Sequence, residues 1–265
     1  MFVKEIEQEL YIPNNIFSSY AMHDIVYFDI ETTGFDKEED KIILVSLGAY
    51  KTKSKFVVKQ YYAEELDDEI KLLYAFSKDI EGYEKWCSYN GIAFDEPFVE
   101  KRMIKNDVSF MFPEKHIDLY RIIRPYYKQL GMERCNLKTV EKYIGINRKD
   151  RINGGESVKL YYEYLKNKDI RLRDTIMLHN YEDVLNLPKI FKLVYKIEQD
   201  SSLIPMNAIT DKQLNYLTFL LTKNNINLNK DIEKISKKAA SRIINNILKG
   251  NKDVEKLNKI INNSY

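Results

Sequence analysis

The stretch "IVYFDIETTGF", residues 25–35, sets two carboxylates into a run that otherwise reads as a buried strand. Side chains alternate across a strand, so Asp29 and Glu31 share one face, side by side, near the end of an apolar element. Like charges so placed repel, and partial burial adds a desolvation cost. Both stay ionised only where a cation or a cationic side chain sits between them. Taken alone, the pair fits equally well a strand end that emerges into solvent with a wet acidic face.

The order of elements around this strand restricts the fold further. Three β-rich runs, "DIVYFDIETT", "DKIILVSLGAY" and "KFVVKQYYA", follow one another across polar turns as a meander. A helical pattern over "ELDDEIKLLYAFSKDI" leads to a short strand in "WCSYNGIAF", and "DEPFVEKRMIKN" opens a helix with Asp95 near its start and Pro97 in its first turn. "SFMF" and "HIDLYRII" read as a further strand and its exit. Helices follow around "NLKTVEKYIGI", "GESVKLYYEYLKN" and "RDTIMLHNYEDVLNLPKIFKLVYKI". Strands first, then alternating helices and strands, predict an α/β layer with a mixed sheet rather than a barrel or a bundle.

The periodicity breaks at "QDSSLIPMNAITDKQ", which places a domain boundary near residue 205. Residues 206–265 carry 11 Lys and Arg against 5 Asp and Glu, whereas the rest of the chain is net acidic. Thr210 with Gln213, Ser236 and Gly250 are spaced as caps of a small basic helical module. That module would tether the protein to nucleic acid or to a partner protein, or simply cover an edge of the core. Cys87 and Cys135 stand far apart, so no disulfide framework or zinc site is indicated, and a reducing cytoplasmic setting is expected. No apolar run approaches the roughly 20 residues that span a bilayer, so no membrane partner is expected.

Two further segments bear on the acidic pair. In "YNGIAFDEPF" Asp95 sits at a strand-to-helix junction, and in "LHNYEDVLNL" His179 and Asp183 lie four apart on one helix face amid Leu178, Val184, Leu185 and Leu187. At these residues the chain resembles the DEDD 3′–5′ exonucleases of the RNase H-like superfamily: "FDIETTG" is similar to their first motif, "NGIAFD" to the second and "HNYEDV" to the third. "LKTVEKYIGINRKDRINGGESVKLYYEYL" before "HNYEDVLNL" narrows the resemblance to the YprB-type RNase H-like family, over residues 24–195. The resemblance implies a mixed sheet of five to six strands flanked by helices, and a metal-dependent nuclease acting on 3′ ends of single-stranded DNA or RNA.

The chemistry gives these carboxylates a purpose of their own. Hydrolysing a phosphodiester needs a water-derived nucleophile, neutralised charge on phosphate and a stabilised leaving oxygen, and two divalent ions supply all three. Carboxylate oxygens suit Mg²⁺ or Mn²⁺. By resemblance, Asp29 bridges both ions, Glu31 and Asp183 complete one site, Asp95 holds the other, and His179 deprotonates the attacking water, an imidazole being suited to proton transfer near neutral pH. The chain departs from the two best-known subclasses, which place a His five residues, or a Tyr four residues, before the last Asp. Here a His stands at the Tyr spacing.

Thr32, Thr33 and Gly34 would offer backbone groups and a hydroxyl to the terminal nucleotide, Asn90 and Phe94 would meet sugar or base, and Arg148 and Arg151, in the loop "GINRKDRINGGE", would meet phosphate. Each has an ordinary structural alternative: a strand-ending turn, a core aromatic, a solvated loop arginine. An internal cleaver of the RNase H or resolvase kind shares the same carboxylates. A non-catalytic nucleic-acid-binding or scaffolding protein on this fold is the alternative outside enzymes.

Overall fold

A strand covered on both faces reads as a near-continuous apolar run, whereas an edge strand alternates or carries charge. The computed structural model, which describes residues 1–228, 232–262 and 264–265, sorts its strands accordingly. In chain order these are β1 (Phe2–Glu9), β2 (Ile25–Thr32), β3 (Ile42–Tyr50), β4 (Lys55–Tyr62), β5 (Lys85–Ser88) and β6 (Lys115–Asp118), joined in one sheet of order β1-β4-β3-β2-β5-β6. Buried β2 and β3 lie in the middle. The charged, largely exposed β1 and the four-residue β6 form the edges. β1 to β4 pair antiparallel, while β5 runs parallel to β2 and β6 parallel to β5.

The helices are α1 (Asn14–Ser19), α2 (Glu69–Ile80), α3 (Asp95–Lys105), α4 (Leu119–Ile123), α5 (Leu137–Tyr143), α6 (Gly154–Asn167), α7 (Ile170–Gln199), α8 (Asp211–Lys223), α9 (Lys237–Leu248) and α10 (Val254–Asn262). Parallel neighbours need crossovers, and α2 and α3 supply them. Strand alternation then assigns the faces. Val26, Phe28 and Ile30 pack with Leu72, Phe76, Phe98 and Val99 of these two helices, and the Phe28 and Trp86 rings stack with centroids 4.3 Å apart. On the opposite face Ile43, Leu44 and Tyr62 meet Tyr161 and Tyr164 of α6 and Ile176 and Met177 of α7. A buried bidentate ion pair, Arg102 Nε to Glu69 Oε1 at 2.8 Å and Nη2 to Oε2 at 2.6 Å, locks α3 to α2. Glu69 Oε1 also accepts the Ile42 N–H at 2.8 Å.

The expected meander and its following helices are present, and the sheet is the mixed α/β layer read from the sequence. The strand expected at "SFMF" is not formed. Phe110 and Phe112 instead pack from a loop onto Phe76 and Trp86, and pairing with β5 begins only at Lys115.

The chain divides into two compact units, one of residues 1–120 and 136–195, the other of 121–135 and 196–265. The second unit has its own core of Leu217, Leu220, Ala240, Ile243, Ile247 and Leu257. Thr210 and Gln213 form a reciprocal capping box on α8, and Ser236 Oγ accepts the Ala239 N–H at 3.1 Å to cap α9. Gly250, at φ +81°, follows α9 in the left-handed conformation. Among the described residues no helix is long and apolar enough to cross a membrane.

Candidate active site

β2 presents Asp29 opposite Ser46 of β3 and Glu31 opposite Leu44, with a register shift just beyond Glu31. Both carboxylates lie on the face served by α7. Asn180 Nδ2 donates to Asp29 Oδ2 at 2.6 Å, and His179 Nε2 lies 3.6 Å from Glu31 Oε1 and 3.7 Å from Asp183 Oδ2. Asp95, the first residue of α3, reaches the same strand: its Oδ1 accepts the Ile30 N–H at 3.3 Å, between the two acidic positions. Residues far apart in the sequence thus converge on one end of the sheet.

Glu31, Asp95, His179 and Asp183 are all buried, and this shapes their electrostatics. Burial, followed by repulsion from Asp183, Asp95 and Glu31, holds the Asp29 carboxyl well above the usual carboxylate range, although the Asn180 hydrogen bond opposes it. Burial and then Asp183 push Glu31 up in the same way. Asp95 is pushed up to about 7, chiefly by burial, with Asp118 and Asp183 adding to it. Burial and mutual repulsion of this kind favour the protonated forms of Asp29, Glu31 and Asp95. Glu31, His179 and Asp183 bring one donor atom each to within 4.8 Å of one another, a spacing that suits a metal ion.

A second layer of charge surrounds α7. Asp150 Oδ2 lies 2.8 Å from His179 Nδ1, and Lys138 Nζ lies 2.9 Å from the same oxygen. Burial alone would raise the Asp150 carboxyl, but the hydrogen bonds from His179 and Lys138 outweigh it and bring it below its ordinary value. An ionised carboxylate can only accept, so Nδ1 carries the proton, and in the neutral ring Nε2 is left with a bare lone pair facing Glu31 and Asp183. Arg148 Nη1 donates to Asp183 Oδ1 at 2.5 Å and to Glu141 at 3.2 Å, while Nη2 donates to the His179 carbonyl at 2.9 Å. Arg148, expected from the sequence to meet phosphate, with a solvated loop position as the alternative, lies inside the site on carboxylate partners. Arg151 is exposed.

The other expected residues divide. Thr32 Oγ1 donates to the Gly34 carbonyl at 2.6 Å and Thr33 Oγ1 to Asp40 at 2.9 Å, so both hydroxyls build the turn after β2. A Cβ at Gly34 would meet the Asp40 carboxylate, which would have to turn away from Thr33 and the Asp36 N–H to admit it. Asn90, at φ +68°, donates its N–H to Asp118 Oδ1 at 2.7 Å and begins the loop into α3. Gly91 lets that loop close on Ser88, beside Asp95. Phe94 packs on Phe98 and, edge to face, on Phe35, which is 87% exposed.

Sequence reading missed Asp150, and with it a buried polar relay. Gln60 Nε2 donates to the Met177 carbonyl at 2.9 Å and to Ser46 Oγ at 2.8 Å, Ser46 donates to Asn180, and Asn180 to Asp29. The available signal was Ser46, the lone small polar residue in the otherwise apolar "IILVSLGAY", since a buried polar group needs a partner; Gln60 stands beside Lys59 in "KFVVKQYY" and carries less of a signal.

Over 175 residues the chain is 29% identical to the uncharacterized protein YprB of Bacillus subtilis (strain 168), a match covering 65% of this chain and 42% of YprB. The chain thus spans less than half the length of that curated relative. Among solved structures, Brucella melitensis NrnC bound to pGG is 15% identical at a TM-score of 0.32, covering 70% of this chain and 86% of NrnC. NrnC with bound Mg²⁺ is 13% identical at a TM-score of 0.31, covering 72% and 93%. At TM-scores this low the superpositions say nothing of this chain's chemistry. The family description of the RNase H superfamily matches residues 26–195, from β2 through most of α7 and across the whole acidic cluster, and the chain belongs to that superfamily.

Proposed function

We propose that this chain is a metal-dependent nuclease that hydrolyses phosphodiester bonds of single-stranded nucleic acid from the 3′ end. The observation that supports it best is the convergence of Asp29, Glu31, Asp95 and Asp183 with three of these carboxyls held above their ordinary range by burial and mutual repulsion. An oxygen-rich donor set of this kind fits hard divalent cations such as Mg²⁺ or Mn²⁺. Asp29, Glu31, Asp95 and Asp183 would hold two such ions, which when bound neutralise charge building on the phosphate and make water easier to deprotonate.

The chain's own groups carry the remaining steps. His179 Nε2 accepts the proton of the attacking water, and Asp150 keeps Nδ1 protonated and steadies the imidazolium that results. Arg148 fixes Asp183 through Oδ1, which leaves Oδ2 turned toward His179. Placement of this imidazole on the last helix of the site, four residues before Asp183, favours exonuclease over internal cleavage. The test is digestion of 5′-labelled DNA and RNA oligonucleotides with Mg²⁺ and Mn²⁺. A ladder shortening from the 3′ end is expected. Internal cuts from the outset would replace the exonuclease with an endonuclease, and intact strands under all conditions would leave a binding protein.

A further inference from the structure

The second unit holds a cleft of about 600 Å³ lined by Arg121, Arg124, Lys237, Lys238 and Arg242 together with Ser236, Asn207 and Tyr265. Five cations line it and, among the described residues, no Asp or Glu does. Three of the cations come from the first two turns of α9, and two from the distant segment at residues 121–124, so the concentration of charge is made by the fold and is not a run in the sequence. The floor is fixed. Ser236 Oγ donates to the Ser264 carbonyl at 2.6 Å, the Ser236 N–H to Ser264 Oγ at 2.6 Å, the Lys237 N–H to the Asn207 carbonyl at 2.8 Å and the Met206 N–H to the Pro125 carbonyl at 2.8 Å. These bonds join the start of α9 to the 121–135 segment's neighbours and to the end of the chain.

We infer that this cleft is a binding site for the phosphates of a single-stranded nucleic acid, separate from the acidic cluster. Lys237, Lys238 and Arg242 bring three exposed positive charges to one cleft, and the positive potential they raise there draws a polyanion. The positive end of the α9 dipole adds to the same field. Lys237, Lys238 and Arg242 are exposed side chains on a capped helix start, free to turn toward successive phosphates, and Arg121 and Arg124 line the same cleft. A volume of this size accommodates a nucleotide or the turn of a strand. The preference for a nucleic-acid strand over another polyanion rests on the nuclease reading above. The ligand chemistry itself, phosphate oxygens meeting Lys and Arg, rests on the cleft.

The experiment measures binding of a fluorescently labelled single-stranded oligonucleotide to the full chain by anisotropy, with EDTA present so that no cleavage is needed. The wild type is compared with a cleft variant, Lys237→Gln/Lys238→Gln/Arg242→Gln, and with a control, Lys212→Gln/Lys223→Gln/Lys256→Gln, whose lysines are exposed in the same unit and outside the cleft. The cleft variant is expected to weaken binding and to make the slope of log affinity against log salt shallower by about 2, at about 0.7 for each phosphate no longer neutralised, while the control keeps the wild-type slope. An equal loss in both variants would reduce the cleft to diffuse attraction, and an unchanged slope in the cleft variant would overturn the site. Where the triple variant melts below the wild type, Arg242→Gln alone is read the same way, with a slope change of about 0.7. Vesicles of phosphatidylserine form a second arm: loss of vesicle binding with oligonucleotide binding intact would overturn the site in favour of a lipid surface. Strand binding through the cleft without cleavage on adding Mg²⁺ would sink the nuclease and leave the cleft standing, and cleavage with no cleft effect would do the reverse.

Discussion

Asp150 Oδ2 and His179 Nδ1 lie 2.8 Å apart, joining a loop residue to the N-terminal third of a 30-residue helix across 29 positions of sequence. The contact fixes which nitrogen of the ring faces Glu31 and Asp183. Asp150→Asn keeps the shape but lets the amide donate to Nδ1, which moves the proton to Nε2 and removes the acceptor from the water. Turnover should fall by about 10²- to 10⁴-fold with KM changed little, the range for losing a positioned base. Imidazole ¹⁵N shifts of His179 in metal-free protein should show the exchange of tautomers. Unchanged shifts together with unchanged turnover would make Asp150 a structural residue only.

His179→Ala should lower the single-turnover rate by about 10²- to 10⁴-fold and leave substrate affinity within a few fold. Mg²⁺ affinity, read by calorimetry, separates the two roles open to Nε2. Affinity near wild type identifies a base, and a large loss identifies a ligand beside Glu31 and Asp183. Activity within a few fold of wild type would make the imidazole a packing group.

The sheet centre was legible because β2 to β4 are largely buried runs rich in Ile, Val, Phe and Tyr, so length and composition agree on strand. β1 was not, because an edge strand exposing Val3, Glu5 and Glu7 carries no burial signal. The helix caps at Thr210 and Ser236 were legible from short-range spacing alone. Asp29, Glu31, Asp95, His179 and Asp183 stood out through local motifs. Asp150 and the true partners of Arg148 did not, since a charged loop normally reads as solvated and only the tertiary fold brings residues 148–150 onto α7. Asn180 was hidden for the same reason: its partners, Asp29 and Ser46, lie more than 130 positions away.

The raised carboxyls make metal-free stability depend on pH. An unfolded Asp titrates near 3.9, whereas Asp95 in the native state is pushed up to about 7. Between those values the native state holds a proton that the unfolded chain has lost, so stability falls as pH rises. This contribution is fully present below about pH 4 and is lost as pH climbs through about 7, with Asp29 and Glu31 shifted in the same direction. Metal-free melting temperature should therefore drop between about pH 5 and pH 8, less steeply in Asp95→Asn, and Mg²⁺ should raise it more at the upper end, where protons no longer compete. A slope identical in wild type and Asp95→Asn would remove Asp95 from the coupled group.

Asp29→Asn and Asp183→Asn should both abolish cleavage, yet move metal-free stability in opposite directions. At Asp29 the change removes a charge repelled by Asp183, Asp95 and Glu31 while Asn180 can still donate to the new amide oxygen. Relief on the order of 1 kcal/mol at about pH 8 would raise melting by about 2–4 °C. At Asp183 the same exchange also relieves repulsion, but it takes from Arg148, whose side chain is 7% exposed, its shortest bond, 2.5 Å to Oδ1. Breaking a buried pair costs about 3–5 kcal/mol when the remaining charge is stranded, and less here because Glu141 and Asp150 stay beside the guanidinium. The loss still exceeds the relief, so Asp183→Asn should melt below wild type. Thermal melting in EDTA reads both signs, and cleavage of a labelled strand reads the shared loss. A rise in both variants would show that Arg148 does not depend on Asp183, and normal turnover in either would take that residue out of the site.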